Sequence, residues 1–149
     1  MKKAFTLVEI LIVVTIIGIL AAVVVPIFQD NVTKAREAAI KDTLRVLRNA
    51  IELYAVQHND VPPGYYNDDP TQSPGWTTFW AQMVRDGKYI PELPENPFNE
   101  SMTISVIPDG DALPAEATGA YGWIYKPENK DFRIDWPGTD SKGIRFYDY

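Results

Sequence analysis

The sequence predicts an α+β protein in which one long N-terminal α-helix packs on a small C-terminal antiparallel β-sheet. An uncharged apolar run over residues 10–29 is followed by a helical stripe of apolar residues. After residue 100, short segments of alternating apolar and polar residues indicate strands separated by turns. Without the apolar N-terminus, the roughly 120 remaining residues suit one small domain, because two smaller domains would each bury too little apolar surface.

The long helix is predicted from about Phe5 to about His58. Its apolar stripe recurs at steps of four and three residues, at Ile40, Leu44, Leu47, Ile51 and Tyr54. Four further apolar residues are expected to widen the stripe: Ala39, Val46, Ala50 and Leu53. On the charged face, Glu37–Lys41 and Arg48–Glu52 have the spacing of i, i+4 ion pairs. The prolines in residues 59–64 end the helix, and we expect the stripe to pack against the sheet.

The second half of the chain is predicted to hold one short helix and several strands. The helix covers Trp76–Asp86, and Gly87 fits its C-terminal cap. Strands are predicted at about residues 102–106, 120–125 and 132–136, and residues 144–149 are expected to close an edge. Because consecutive strands joined by turns form hairpins, we expect an antiparallel sheet.

Composition and charge exclude several classes of function. The net charge of −6 argues against a nucleic-acid partner, since a phosphate backbone requires a basic face. The absence of cysteine excludes a disulfide framework and a thiolate metal site. His58 is the only histidine, so a Ser-His-Asp triad could form only around it, at the end of the helix. We therefore predict that the protein is not an enzyme.

The N-terminus has the properties of a membrane span. Residues 10–29 are uncharged, and at ~1.5 Å per residue they extend ~30 Å, the thickness of a bilayer core. Lys2 and Lys3 are expected to stay in the cytoplasm, which places the C-terminal bulk across the membrane. A secretory signal peptide fits less well, because its apolar core is about 7–15 residues long. Glu9 is unusual, because a carboxylate at the centre of a span costs about 2.5–3.5 kcal/mol and near the end still needs a partner.

Residues 4–13, Ala-Phe-Thr-Leu-Val-Glu-Ile-Leu-Ile-Val, resemble the N-terminal motif of the type IV pilin family, which includes the pseudopilins of type II secretion. The resemblance implies a pilin fold, cleavage by a prepilin peptidase between Ala4 and Phe5, and methylation of the new amine of Phe5. It also implies that Glu9 acts in assembly. The family usually has glycine where this chain has Ala4, and cleavage is still expected because alanine is the next smallest residue.

The resemblance divides the chain into a leader at residues 1–4, a transmembrane and assembly helix at 5–29, and a periplasmic globular domain at 30–149. The protein would be anchored once in the inner membrane, in contact with lipid, until it joins a homo-oligomeric filament. Implied partners are the prepilin peptidase, minor pseudopilins and an inner-membrane assembly platform with a cytoplasmic ATPase. In the filament, the amine of Phe5 would meet Glu9 of a neighbouring subunit, which would neutralise both charges in an apolar core.

Gly18 and Pro26 bracket a weak segment of the helix, because glycine and proline cost about 1 and about 3 kcal/mol relative to alanine. Pilins that resemble this chain lose helical structure here on assembly, which makes both residues candidate assembly residues. A kink within the span explains the same residues equally well.

Calcium is the one cofactor that the resemblance suggests. Major pseudopilins bind calcium in a C-terminal loop, and calcium takes six to eight oxygen ligands. Acids lie in or beside the loops at Asp109, Asp111, Asp135 and Asp140, and Asp135 with Asp140 is the candidate pair. The loop is shorter than in those proteins, and turn chemistry accounts for the same residues. Without calcium, no cofactor is expected.

The leading functional hypothesis is a major pseudopilin of a type II secretion system, whose filament moves folded proteins outward. Residues 88–99 loosely resemble a proline-rich stretch of such proteins, and the absence of cysteine agrees with this hypothesis. The alternative is a pilin of a surface pilus for adhesion, motility or DNA uptake. A third hypothesis is an anchored module that binds a glycan through Tyr65, Tyr66, Trp76 and Trp80, although core packing is the more common role of such residues.

Overall fold

The computed structural model describes residues 6–85 and 88–149, apart from the side chains of Pro26, Ile27 and Asp30. In this part of the chain the elements are α1 (Leu7–Gln57), α2 (Trp76–Met83), β1 (Ile104–Val106), β2 (Trp123–Lys126) and β3 (Asp131–Ile134), with short 3₁₀ turns at Tyr66–Asp68, Pro127–Asn129 and Phe146–Asp148. The predicted end of α2 at Asp86 and its predicted cap at Gly87 lie outside the described residues.

The chain forms two compact units, the first ending at Ala35 and the second comprising Arg36–Tyr149, and α1 runs from one into the other. The helix ends close to the predicted position. Beyond it, Asp60 has a φ of 65°, and its N–H donates to the main-chain oxygen of Ala55 at 2.8 Å. A left-handed residue of this kind is a common way to end a helix, because it satisfies a free carbonyl of the last turn.

The core of the second unit combines residues of α1, α2 and the sheet. The predicted stripe is confirmed, since its five members are at most 3% exposed: Ile40, Leu44, Leu47, Ile51 and Tyr54. Ala50 is buried beside them, but Ala39, Val46 and Leu53 are exposed. The prediction that these three widen the core was wrong, because the apolar stripe that faces the core covers little more than about 100° of the helix.

The α+β fold is confirmed, and the prediction of a purely antiparallel sheet is wrong for one pair of strands. β1 is parallel to β2, with Ile104 opposite Trp123, whereas β2 is antiparallel to β3, with Trp123 opposite Ile134. The sheet is therefore mixed, in the order β1-β2-β3. Residues 107–122 connect the parallel pair, and this length is sufficient because a parallel crossover needs about a dozen residues.

Two of the predicted strand segments differ in detail. β2 begins after Gly122, where a Cβ atom would lie 2.1 Å from the main-chain oxygen of Ser101, so only glycine fits this close approach. The expected edge strand at residues 144–149 is instead a 3₁₀ turn at Phe146–Asp148.

The predicted i, i+4 ion pairs do not form among the described residues. Arg48 instead donates from Nε and Nη2 to the main-chain oxygen of Phe132, at 3.1 and 2.8 Å. Glu52 pairs with Lys130 at 3.1 Å, and Glu37 is buried and accepts a hydrogen bond from the N–H of Ser141. Tertiary partners prevail here because an i, i+4 ion pair contributes only about 0.2–0.5 kcal/mol.

Candidate functional site

The first unit presents an apolar helical surface that no described part of the chain covers. The 19 residues of Leu7–Val25 have a mean hydropathy of 3.0, and none of this segment is buried. Its length and composition are sufficient to cross a bilayer core. Because so much apolar surface is unfavourable in water, the segment requires lipid or other apolar helices around it.

Glu9 lies at the start of this surface and is held by Thr6. The N–H and hydroxyl of Thr6 donate to Oε2 of Glu9 at 2.9 and 2.8 Å, and the N–H of Glu9 donates to the hydroxyl oxygen of Thr6 at 3.2 Å. This reciprocal arrangement is a capping box, and it fixes the start of α1 at Leu7. The Thr-x-x-Glu spacing carries this information in the sequence. One carboxylate oxygen, Oε1, accepts no hydrogen bond from the residues that the structure describes.

The other residues predicted for processing and assembly are placed as follows. Ala4 and Phe5 lie outside the described residues. Gly18 and Pro26 lie within α1, which is helical through both positions. A Cβ atom at Gly18 would meet no neighbouring atom within 4 Å, so the described chain does not itself require glycine there. A role of Gly18 and Pro26 in assembly therefore stays a prediction.

Asp135 is fully buried and holds the segment that precedes β2. Its Oδ1 accepts from the N–H groups of Thr118 and Gly119 at 2.6 and 3.1 Å. Its Oδ2 accepts from the Thr118 hydroxyl and the Tyr121 N–H at 2.8 and 3.0 Å. Four donors match the roughly four lone-pair sites of a carboxylate. The charge of Asp135 is thus stabilised by donors of the chain itself.

Asp140 organises the loop that follows β3. Its Oδ1 accepts from the N–H groups of Lys142 and Ile144, each at 2.8 Å, and its Oδ2 accepts from the Tyr149 hydroxyl at 2.6 Å. The hydrogen bond from Tyr149 is the main reason that the pKa of Asp140 is lowered, and the two N–H donors act in the same direction. Asp140 therefore joins this loop to the end of the chain.

These surroundings do not fit a calcium site at Asp135 and Asp140. A cation would have to approach oxygens that N–H and O–H groups already face, and calcium requires six to eight oxygen ligands. Within residues 6–85 and 88–149, no group of three or more His, Cys, Asp or Glu side chains could hold a metal ion. Asp109, another loop acid, instead accepts from the Tyr65 hydroxyl at 2.7 Å. No support for the calcium prediction comes from this geometry.

The aromatic residues considered for glycan binding do not share one exposed face. Tyr65 is buried, and burial together with its bond to Asp109 raises its pKa. The other three are exposed to differing degrees: Tyr66, Trp76 and Trp80. His58, the one residue around which a catalytic triad could form, stacks on the Tyr54 ring with centroids 3.9 Å apart. Both observations favour structural roles for these side chains.

Comparison with known proteins connects this N-terminal surface to filament subunits. The family model described as Prokaryotic N-terminal methylation motif matches residues 1–25. Type II secretion system core protein G of Aeromonas hydrophila is 33% identical over 102 residues, which cover 65% of this chain and 68% of that protein. Prepilin peptidase-dependent protein D of Escherichia coli (strain K12) is 28% identical over 124 residues, which cover 82% of this chain and 80% of that protein.

A third relative is named for a pilus. Type IV narrow pilus major component PilA5 of Thermus thermophilus is 42% identical over 60 residues, which cover 40% of this chain and 52% of that protein. No solved structure gives a significant match.

The chain has an exposed apolar segment at the start of a long helix, a small sheet that shares a core with the end of the same helix, and the N-terminal methylation motif. These features define the pilin-like class of proteins. Within that class, the Aeromonas relative matches at more than 30% identity over more than two thirds of its own length. The chain therefore belongs to the family of the type II secretion system core protein G.

Proposed function

We propose that this protein is the structural subunit of the pseudopilus of a type II secretion system, the filament that drives protein export. The observation that carries the proposal is the match to type II secretion system core protein G, which extends well beyond the N-terminal motif. The uncovered helix surface of Leu7–Val25 supports it, since such a surface is buried when helices associate side by side. The role is structural and not enzymatic.

Before assembly, the protein is anchored in the inner membrane by its N-terminal helix, with the globular domain in the periplasm. The lysines at positions 2 and 3 support this orientation through the positive-inside rule. The prepilin peptidase removes residues 1–4, and Phe5 becomes the methylated N-terminus. Minor pseudopilins, an assembly platform and its cytoplasmic ATPase then complete the machinery, and no resident metal is part of this proposal.

Assembly places the amine of Phe5 beside Glu9 of a neighbouring subunit. Among the described residues, Thr6 satisfies only one oxygen of the Glu9 carboxylate, so Oε1 is available to a further donor. A cation is the donor that best offsets the cost of keeping a carboxylate among apolar helices. The pair also sets the position of each subunit along the filament axis, because every Glu9 carboxylate then needs a Phe5 amine of a neighbour at the same position along that axis.

A subunit of a surface pilus is the second candidate function, and the Thermus relative favours it, since that protein is named as a major pilus component. Its match covers only 40% of this chain, against 65% for the Aeromonas relative. The secretion pseudopilus is therefore the better supported of the two.

Deletion of the gene in its own host distinguishes the two candidates. We expect exported proteins to accumulate in the periplasm while the number of surface fibres stays unchanged, and a plasmid copy to restore export. Loss of fibres seen by electron microscopy, with export intact, would establish the pilus instead. A copy carrying Glu9→Ala is the matched control, since it should be made at normal levels and restore neither property.

A further inference from the structure

An apolar groove lies on the second unit, between α1 and the proline-rich segment that follows α2. Its volume is about 200 Å³. Its lining residues are Asp42, Thr43, Val46, Leu47, Ile90, Pro91, Glu92 and Pro94. Val46 is 50% exposed, although it is a large aliphatic residue in the middle of α1. The groove thus combines an apolar floor with two acids at its rim.

The acids at the rim are available to an outside cation. Glu92 is exposed and forms no salt bridge within the described residues. Asp42 pairs with Arg45 at 2.6 Å, but both side chains are largely exposed, and pairs of this kind contribute little to stability. Asp42 can therefore exchange this partner for another cation.

The C-terminal loop carries the complementary features. The loop comprises residues 141–145, which are all solvent-exposed, and the Ile144 side chain within it is 49% exposed. Lys142 lies two residues before it and forms no salt bridge with the described part of the chain. The loop itself is held firmly, because Asp140 binds the N–H groups of Lys142 and Ile144. An aliphatic side chain next to a cation is thus presented on a fixed backbone.

The loop cannot fill the groove of its own chain. It lies on the side of α1 that carries Glu37 and Lys41, since Ser141 donates to Glu37, and Lys41 lies 4.5 Å from the ring centroid of Tyr149. Val46 lines the groove and is about 140° away from Lys41 around the helix at 3.6 residues per turn. The groove and the loop therefore occupy opposite flanks of the second unit.

We propose that the groove binds the C-terminal loop of a second copy of this chain, with Ile144 on Val46 and Lys142 beside Asp42 and Glu92. Two different surfaces meet in such a contact, so one copy of a pair keeps a free loop and the other keeps a free groove. Contacts of this head-to-tail kind produce open filaments when the rotation between copies does not close a ring. This inference rests on the proposed filament and assigns one lateral contact within it.

Disulfide trapping tests the contact directly, because the natural chain has no cysteine. The full-length double variant Val46→Cys with Ile144→Cys is assembled with its own machinery and oxidised with copper phenanthroline. A disulfide forms only when the two Cα atoms lie within about 7 Å, so a ladder of linked subunits on a non-reducing gel is expected. Each single variant should give no ladder. The control double variant Val56→Cys with Ile144→Cys uses an exposed residue of α1 outside the groove and should also give none.

Electron microscopy of the same samples separates the two proposals. Filaments without a ladder from the Val46–Ile144 pair would overturn this contact and leave the proposed function standing. Absence of filaments from the natural chain in secretion-competent cells would overturn both. As an independent measurement, Lys142→Glu should lose filaments, and adding Glu92→Lys to that variant should restore them. Filaments at the natural level in Lys142→Glu would also overturn the contact.

Discussion

Glu37 of α1 binds Ser141 of the C-terminal loop through two hydrogen bonds, although the two residues are far apart in sequence. Ser141 donates to Glu37 from its N–H at 2.7 Å and from its hydroxyl at 3.0 Å. Glu37 is buried, so these two donors replace the hydrogen bonds that water would otherwise donate to its carboxylate. The contact fixes the loop to the helix near the start of the second unit.

Replacement of Glu37 should therefore destabilise the second unit. We expect Glu37→Ala to lower the free energy of unfolding by about 2–3 kcal/mol, because hydrogen bonds to charged groups contribute about 1.5–3 kcal/mol. Glu37→Gln should cost less, since its amide oxygen still accepts from the N–H of Ser141. Thermal unfolding of the full chain in detergent, followed by circular dichroism, measures both. Equal melting temperatures for Glu37→Ala and the natural chain would contradict the role given to this contact.

Glu9 should be dispensable for processing and necessary for assembly. Glu9→Ala should lose filaments, because it leaves the amine of Phe5 without a partner, and removal of one member of a buried pair typically costs about 3–5 kcal/mol. Glu9→Gln is the informative control, since glutamine still forms the capping box with Thr6 but carries no charge. Mass spectrometry of the N-terminus and electron microscopy of filaments give the two readouts. If Glu9→Gln assembles normally, the capping box and not the charge is what assembly requires.

The size of residue 4 should control cleavage by the prepilin peptidase. We expect Ala4→Gly to be cleaved as well as or faster than the natural chain, and Ala4→Leu to remain uncleaved because the larger side chain blocks approach of the peptidase. Mass spectrometry of membrane fractions identifies Phe5 as the first residue where cleavage has occurred. Efficient cleavage of Ala4→Leu would show that the side chain at this position does not matter.

The parts of the fold that follow from local pattern were predictable, and the parts that depend on distant partners were not. Burial of the stripe from Ile40 to Tyr54 was predictable because helical periodicity alone defines a buried face. The parallel pairing of β1 and β2 could not, since it depends on the path of residues 107–122, which carry no periodic pattern. Likewise, Arg48 has a well-placed local acid in Glu52 but binds Phe132 across the domain.

The same contrast holds for the candidate site. The motif at residues 4–13 identifies the class of protein because processing and assembly act on contiguous sequence. Asp135 is a candidate calcium ligand in the sequence because an acid beside a loop is compatible with either metal binding or turn chemistry. Its four donors come from a different loop, Thr118–Tyr121, which only the folded chain brings to it.

Asp135 should stabilise the domain without calcium. We expect Asp135→Ala to lower the free energy of unfolding by about 3 kcal/mol or more, because several donors to a charged group lose their acceptor at once. Asp111→Ala is the matched control, since Asp111 is an exposed loop acid whose replacement should change stability by less than about 0.5 kcal/mol.

Calcium should leave this stability unchanged. Melting temperatures of the natural chain in EGTA and in millimolar calcium should be equal, because a ligand raises the melting temperature only if it binds the folded state. A higher melting temperature in calcium that is lost in Asp135→Ala would reverse this conclusion and restore Asp135 as a ligand.

The bond between Tyr149 and Asp140 should make stability depend on pH in the acid range. The Tyr149 hydroxyl, with the N–H groups of Ile144 and Lys142, lowers the pKa of Asp140 below its unfolded value of about 3.9. A carboxyl group whose pKa is lowered by folding stabilises the folded state above the unfolded pKa, and this contribution disappears as pH falls through the folded pKa. Tyr149→Phe removes the largest cause of the shift. The melting temperature of the natural chain should therefore exceed that of Tyr149→Phe by a constant amount above about pH 4, and the difference should shrink at lower pH.

Tyr66→Phe serves as the control, because the exposed Tyr66 forms no side-chain hydrogen bond within the described residues, and its melting temperature should follow that of the natural chain at every pH. A difference between Tyr149→Phe and the natural chain that stays constant from neutral pH to about pH 2 would show that the hydroxyl acts through packing and not through the charge of Asp140.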